Sequence, residues 1–127
     1  MASILKVDDL RGNTAAANVT VTDGSVTMKL QDGLAVAGVN HDLTNNTIKE
    51  SFNVASITDN GTGNQTVNLS NIMNGSATAI CLGTNGYGGN GEIFWDNATS
   101  YTHRCRDISN NFQDTTQMYS TVHGDLA

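Results

Sequence analysis

A chain of 127 residues with a net charge of −6 and only 14% charged positions is one domain by length, and it lacks the clustered Lys and Arg that phosphate-backbone binding requires. That excludes a nucleic-acid partner, the acidic balance repels anionic membrane surfaces, and no stretch is apolar for long enough to insert in a membrane as a helix. Solubility rests on neutral polar groups instead: 16 Asn and 16 Thr, with 13 Gly, suit short strands joined by tight turns and are poor material for helix interiors.

In chain order, residues 1–18 read as an N-terminal segment with a short strand around Leu5 and Val7, ahead of a β-rich domain over 19–127. Met1 to Lys6 run straight into acidic residues without an apolar core of a signal peptide, so synthesis and release in a cytoplasm are expected. Two alternating runs, 19–22 and 26–30, flank Asp23-Gly24 and predict a hairpin with Val26, Met28 and Leu30 on one face. The small apolar run 33–40 predicts a buried strand or tight packing segment, with Gly38 permitting close backbone approach. A turn follows over 41–46. Residues 47–57 read as one strand, with Ile48 near its start and Phe52 and Val54 on a shared face.

The cluster 59–64 is a turn, and 66–71 returns from it with Val67 and Leu69 on one face, completing a second hairpin. A short strand is expected over 78–82, a loop over the five glycines of 83–91, strands over 92–95 and 101–108, a loop over 110–116 and a last strand over 117–123. No segment holds apolar residues at helical spacing for three turns. The fold class is therefore all-β: a small antiparallel β-sandwich or barrel-like module.

Val, Ile, Leu and Phe together make 27 of 127 residues, a thin core, and there is no Pro to blunt exposed strand edges. Both features call for partner chains, and a homotrimer is the expected assembly.

The candidate chemistry is sparse. His41, His103 and His123 each have a possible second ligand nearby (Asp42, Cys105 and Asp125), but no zinc spacing is met, and surface or strand-edge roles are expected. A trimer axis near His123 would bring three copies together on a metal or an anion. Asp8, Asp9, Asp59 and Asp107 suit turns and surface; no pair stands out as a glycosidase couple. Cys81 and Cys105 read as two thiols in a reducing compartment, with a disulfide open if their strands are neighbours. The glycine-rich stretch lacks the Lys-Ser/Thr of a phosphate loop. Seven Asn-x-Ser/Thr triplets follow from composition. No catalytic residue, metal site or cofactor is expected. Tyr87, Phe94, Trp95 and Tyr101 lie in one stretch beside Gly- and Asn-rich loops and are the candidates for receptor contact or a subunit interface; Phe94 and Trp95 serve equally well as core.

At 51–69 the sequence SFNVASITDNGTGNQTVNL resembles a segment of tail-fibre-like and other structural proteins of marine bacteriophages, in particular those of cyanobacteria and related hosts. The pattern there is a strand close to S-F-N-V-S-S-I, the turn T-D-N-G-T-G and a returning strand T-V-N-F, with Leu69 standing where an aromatic is usual. The opening Ser3-Ile4-Leu5-Lys6-Val7-Asp8 and the close Val122-His123-Gly124-Asp125-Leu126-Ala127 are similar to the ends of such proteins. Gly38 to His41 departs from the pattern, which has a Trp near Gly38 and an aromatic near His41. The resemblance implies a β-structured, often trimeric module on the particle exterior, as a tail-fibre-like appendage or a capsid decoration. It implies a virion location, with Leu5, Val7 and Leu10 as candidates for docking to a major capsid or tail protein. The alternative is a carbohydrate- or receptor-binding module that meets a host surface glycan.

Overall fold

The computed structural model describes residues 19–23, 25–29, 34–74, 79–85, 90–124 and 126, and every regular element among them is a strand. β1 (Thr20–Asp23) and β2 (Val26–Lys29) form the hairpin expected around Asp23-Gly24. The shared face of Val26, Met28 and Leu30 lies outside the described residues, as do Leu5, Val7 and Leu10.

Eight further strands follow: β3 (Ala35–Asp42), β4 (Thr47–Phe52), β5 (Val54–Asp59), β6 (Asn64–Leu69), β7 (Ala79–Asn85), β8 (Asn90–Asn97), β9 (Ser100–Arg106) and β10 (Gln117–His123). They make two antiparallel four-stranded sheets, β4-β3-β10-β7 and β5-β6-β9-β8, packed as a sandwich. The sheets do not join into a barrel, so of the two architectures expected the sandwich is the one formed. Register shifts occur in the pairings β3–β4, β5–β6 and β8–β9, each of which includes an edge strand, and in the pairing of the interior strands β3 and β10. At an edge such a bulge twists the strand away from flat pairing, in a chain that has no Pro to do so.

The strand expected over 47–57 is two strands in different sheets. Asn53, at φ 54°, turns the chain from β4 into β5. Asn tolerates the left-handed region better than most residues, and its side chain holds the corner. Nδ2 donates to Val36 O at 3.0 Å, and Oδ1 accepts from Asn71 N and Asn71 Nδ2, both at 2.8 Å. Alternation of apolar residues runs unbroken through Asn53, which is why the pattern alone conceals the corner. Phe52 and Val54 consequently belong to different sheets. Phe52 is half-exposed on an outer face, and Val54 packs against the core.

Two other expectations are corrected. His41 and Asp42 extend β3 instead of opening a turn, and the turn is confined to 43–46. Within the expected glycine loop, β7 runs on to Asn85 and β8 begins at Asn90. Gly83 is a strand residue, paired with Tyr119 on β10, and the Tyr119 ring lies where its Cβ would be: an added Cβ would lie 2.7 Å from Cδ2.

The inner faces alternate as strands require. Ala37, Val39, Val67, Leu69, Met73, Tyr101 and Val122 form the larger apolar cluster; Leu43, Cys105 and Met118 form a smaller one. His41 falls between Val39 and Leu43, His103 between Tyr101 and Cys105, and Ser120 between Met118 and Val122. The interior thus contains a polar belt, and the shortage of large aliphatic residues is made up with buried His, Tyr, Ser and Gln side chains.

Candidate functional site

A concavity lies on the outer face of the β4-β3-β10-β7 sheet. Register places its walls. Gly38 stands opposite Phe52 on β4 and Thr121 on β10; Asn40 stands opposite Glu50 and Tyr119. The two residues of β3 make the floor, and the aromatics rise diagonally across it from opposite sides. The groove has a volume of about 510 Å³, within the roughly 300–1,000 Å³ usual for small-ligand sites. Phe52 is 50% and Tyr119 37% exposed. Both rings lie over glycine: the Phe52 Cε1 atom is 2.4 Å from where a Cβ on Gly38 would stand. Asn40 Oδ1 is shielded from solvent and has no hydrogen-bond partner. Gly38 and Asn40 thus form the groove floor, while His41 points the other way, into the core.

His41 and His103 are both fully buried, which corrects the expectation of surface or strand-edge histidines. They come from opposite sheets and stack, with centroids 5.0 Å apart and planes 13° from parallel. His103 Nδ1 and His41 Nε2 are 3.5 Å apart, and the outer nitrogens, His41 Nδ1 and His103 Nε2, have no partner. Burial pushes His41 down to about 4 despite the Asp42 carboxylate beside it, and pushes His103, aided by His41, down to about 3. Both rings are neutral near pH 7. Tyr101 meets the His103 ring edge-on at 5.1 Å, and its hydroxyl lies 2.9 Å from Ser120 Oγ across the sandwich. Burial pushes the Tyr101 hydroxyl up to about 12.

The outer face of the β5-β6-β9-β8 sheet is different. Its centre is a closed polar ladder: Asn60 Nδ2 donates to Thr66 Oγ1, Thr66 Oγ1 meets Thr102 Oγ1, and Thr102 Oγ1 donates to Asp96 Oδ2. Beside it the Arg104 guanidinium sits 4.4 Å over the Phe94 ring and that of Arg106 sits 3.9 Å over Phe112. Arg106 Nε also donates to Glu92 Oε2 at 3.4 Å. Ile108, 85% exposed, follows β9 on the same chain segment.

The four aromatics named from the sequence do not form one surface. Phe94 points outward into the cation–π cluster. Trp95 points inward and stacks on Tyr101 with centroids 6.0 Å apart. Tyr101 has no exposed surface, so it meets neither a receptor nor a partner chain directly. Tyr87 lies outside the described residues. Strand alternation accounts for the split, since Phe94 and Trp95 are adjacent and must face opposite ways. Cys105 is a free, buried thiol whose pKa is raised by burial and by Asp114; the Cys81 side chain lies outside the described residues. Asp59 and Asp107 close turns, accepting from Gly61 N and from Ser109 N and Asn111 N respectively. Asp8, Asp9 and Asp125 lie outside the described residues. His123 is half-buried at the end of β10, and no group of three metal-ligating side chains gathers among the described residues.

Fold and site together define an antiparallel β-sandwich with an aromatic-flanked groove on one outer face and a cation–π cluster on the other. Comparison with protein-family models, with curated proteins and with solved structures finds no match.

Proposed function

We propose that this chain is a non-enzymatic structural protein of a bacteriophage virion, exposed on the particle surface as a tail-fibre-like appendage or capsid decoration. It acts through subunit packing, as a homotrimer, and through attachment of its N-terminal segment to a capsid or tail protein. The particle assignment rests on the resemblance at 51–69. That segment comprises the end of β4, the Asn53 corner and the β5–β6 hairpin, so the resemblance falls on residues that set the architecture. The observation that carries the packing role is the cluster of Phe94, Arg104, Phe112 and Arg106 with Ile108 beside it. Exposed apolar groups gathered with Arg are the composition of interface cores.

Immunogold electron microscopy of phage particles tests the location, and light scattering tests the assembly. A trimer at micromolar concentration that dissociates in Phe94→Ala/Phe112→Ala is the expected result; a wild-type monomer overturns the packing role. The groove on the other sheet favours a second reading, a carbohydrate-binding module for host attachment.

A further inference from the structure

We infer that the groove over Gly38 and Asn40 binds one unit of a neutral saccharide, with Phe52 and Tyr119 stacking on its C–H faces and Asn40, Glu50 and Thr121 meeting its hydroxyls. This deepens the carbohydrate-binding reading and rests on it, not on the particle assignment.

The chemistry of the walls selects the ligand. β3 and β10 are interior strands of their sheet, and their backbone groups are spent in the ladders to β4 and β7. A peptide lying over β3 and β10 therefore finds no free backbone groups on the groove floor, the unpaired side of β4 facing away from it, and recognition in the groove falls to side chains. Those side chains are two half-exposed aromatic rings, a hydroxyl, an amide and one carboxylate. An apolar ring face edged by hydroxyls complements that set, because aromatic faces take up C–H surface while amide and carboxylate oxygens accept from O–H.

Charge decides among the remaining candidates. Glu50 in the groove and a net charge of −6 oppose an anionic ligand. A second copy docked here about a twofold axis would bring Glu50 toward Glu50. The Asn40 amide oxygen supplies an independent pointer. No donor among the described residues holds it, so turning the Asn40 amide toward a ligand hydroxyl breaks no internal bond of that oxygen and gives it the donor it lacks. Gly38 is needed for shape, since a Cβ there would displace the Phe52 ring.

The test is an array of bacterial O-antigen and capsular oligosaccharides probed with the full chain, followed by calorimetry on the best oligosaccharide. The variants are Phe52→Ala, Tyr119→Ala, Asn40→Ala and Gly38→Ala, each checked by thermal melting, with Ile72→Ala, exposed and outside both the groove and the cation–π cluster, as control. Both rings are partly exposed, so the two aromatic variants are expected to fold. The expected result is binding that weakens at least tenfold in Phe52→Ala and in Tyr119→Ala, weakens in Gly38→Ala and Asn40→Ala, and is unchanged in Ile72→Ala. Binding that survives in folded Phe52→Ala and Tyr119→Ala overturns the groove as the site and leaves the carbohydrate reading standing. A wild-type protein that binds no oligosaccharide overturns both, while immunogold labelling decides the virion assignment separately.

Discussion

His41 on β3 and His103 on β9 stack across the sandwich, each presenting one ring nitrogen to the other at 3.5 Å and each leaving its outer nitrogen unpartnered. Neither ring accepts a proton in the folded chain until the pH is far below the ordinary histidine value near 6.5, because burial disfavours the cation and a second cation would sit against the first.

Acid lability follows. The unfolded chain takes up protons at both histidines below pH 6.5; the folded chain does so only near about 4 for His41 and about 3 for His103. Stability is therefore full above pH 6.5 and falls as pH drops through that window, by up to about 1.4 kcal/mol per pH unit for each histidine. Asp42 and Asp107 have lowered values in the fold, so their contribution is lost as pH falls through the ordinary carboxylate value near 3.8, at the bottom of the histidine window. Urea unfolding at pH 7.5, 6.0, 5.0 and 4.5 measures the slope. In the double variant His41→Phe/His103→Leu the slope should flatten; an unaltered slope would refute the assignment to this pair.

Tyr101→Phe should cost about 1–2 kcal/mol. It removes the hydrogen bond to Ser120 and leaves a buried hydroxyl without its partner, which is more expensive than losing both members. The double variant Tyr101→Phe/Ser120→Ala should therefore be no less stable than Tyr101→Phe alone. Chemical denaturation of the two single variants and the double variant gives the coupling, and strict additivity would show that the contact does not stabilise the fold.

The all-β class, both hairpins and the last strand are legible in the sequence because strand alternation and Asn/Asp-Gly turns are local signals; the choice of sandwich over barrel is not, since it depends on how the sheets close. The groove and the histidine pair are not, because each is assembled by strands distant in sequence. Alternation alone puts Phe52 on the face of Val54; the corner at Asn53 turns it outward, and an isolated Asn between Phe and Val is too common to announce a corner. The outward direction of Tyr119 is legible, since Met118, Ser120 and Val122 alternate against it. Nothing in HDLT or YTHRC reveals that His41 and His103 meet, since that depends on which strands of the two sheets face each other. Phe94 and Trp95 carry a local cue, since neighbours in a strand face opposite sides of the sheet.

Two glycines of one turn should respond differently to Ala. Gly63, at φ 63°, has its Cβ position 2.5 Å from Cys105 O and 2.6 Å from Gln113 N, both backbone atoms that cannot swing away. Its carbonyl accepts from Cys105 N and its N–H donates to Asp114 Oδ1. Gly63→Ala adds overpacking of about 1–3 kcal/mol to about 1–2 kcal/mol of left-handed backbone strain. Gly61, at φ 107°, has nothing within 4 Å of its Cβ position and should show backbone strain alone. Thermal melts of the two variants check the order, and a Gly61→Ala variant less stable than Gly63→Ala would contradict it.

Asn53 tests what turns one strand into two. Its backbone requires a positive φ, and its side chain ties the corner to Val36 on β3 and to Asn71 beyond β6. Gly at this position keeps the backbone and loses the ties; Ala loses the ties and strains the backbone. Asn53→Gly should therefore be destabilised by about 1–3 kcal/mol from the three hydrogen bonds and the freed Val36 carbonyl. Asn53→Ala should lie about 1–2 kcal/mol below that. Because the corner sets where β4 ends, both variants should also loosen Phe52, and amide exchange of residues in β4 and β5 should rise ahead of that in β9. Equal stability of the Gly and Ala variants would show that the side-chain ties, and not the left-handed backbone, define the crossing between the sheets.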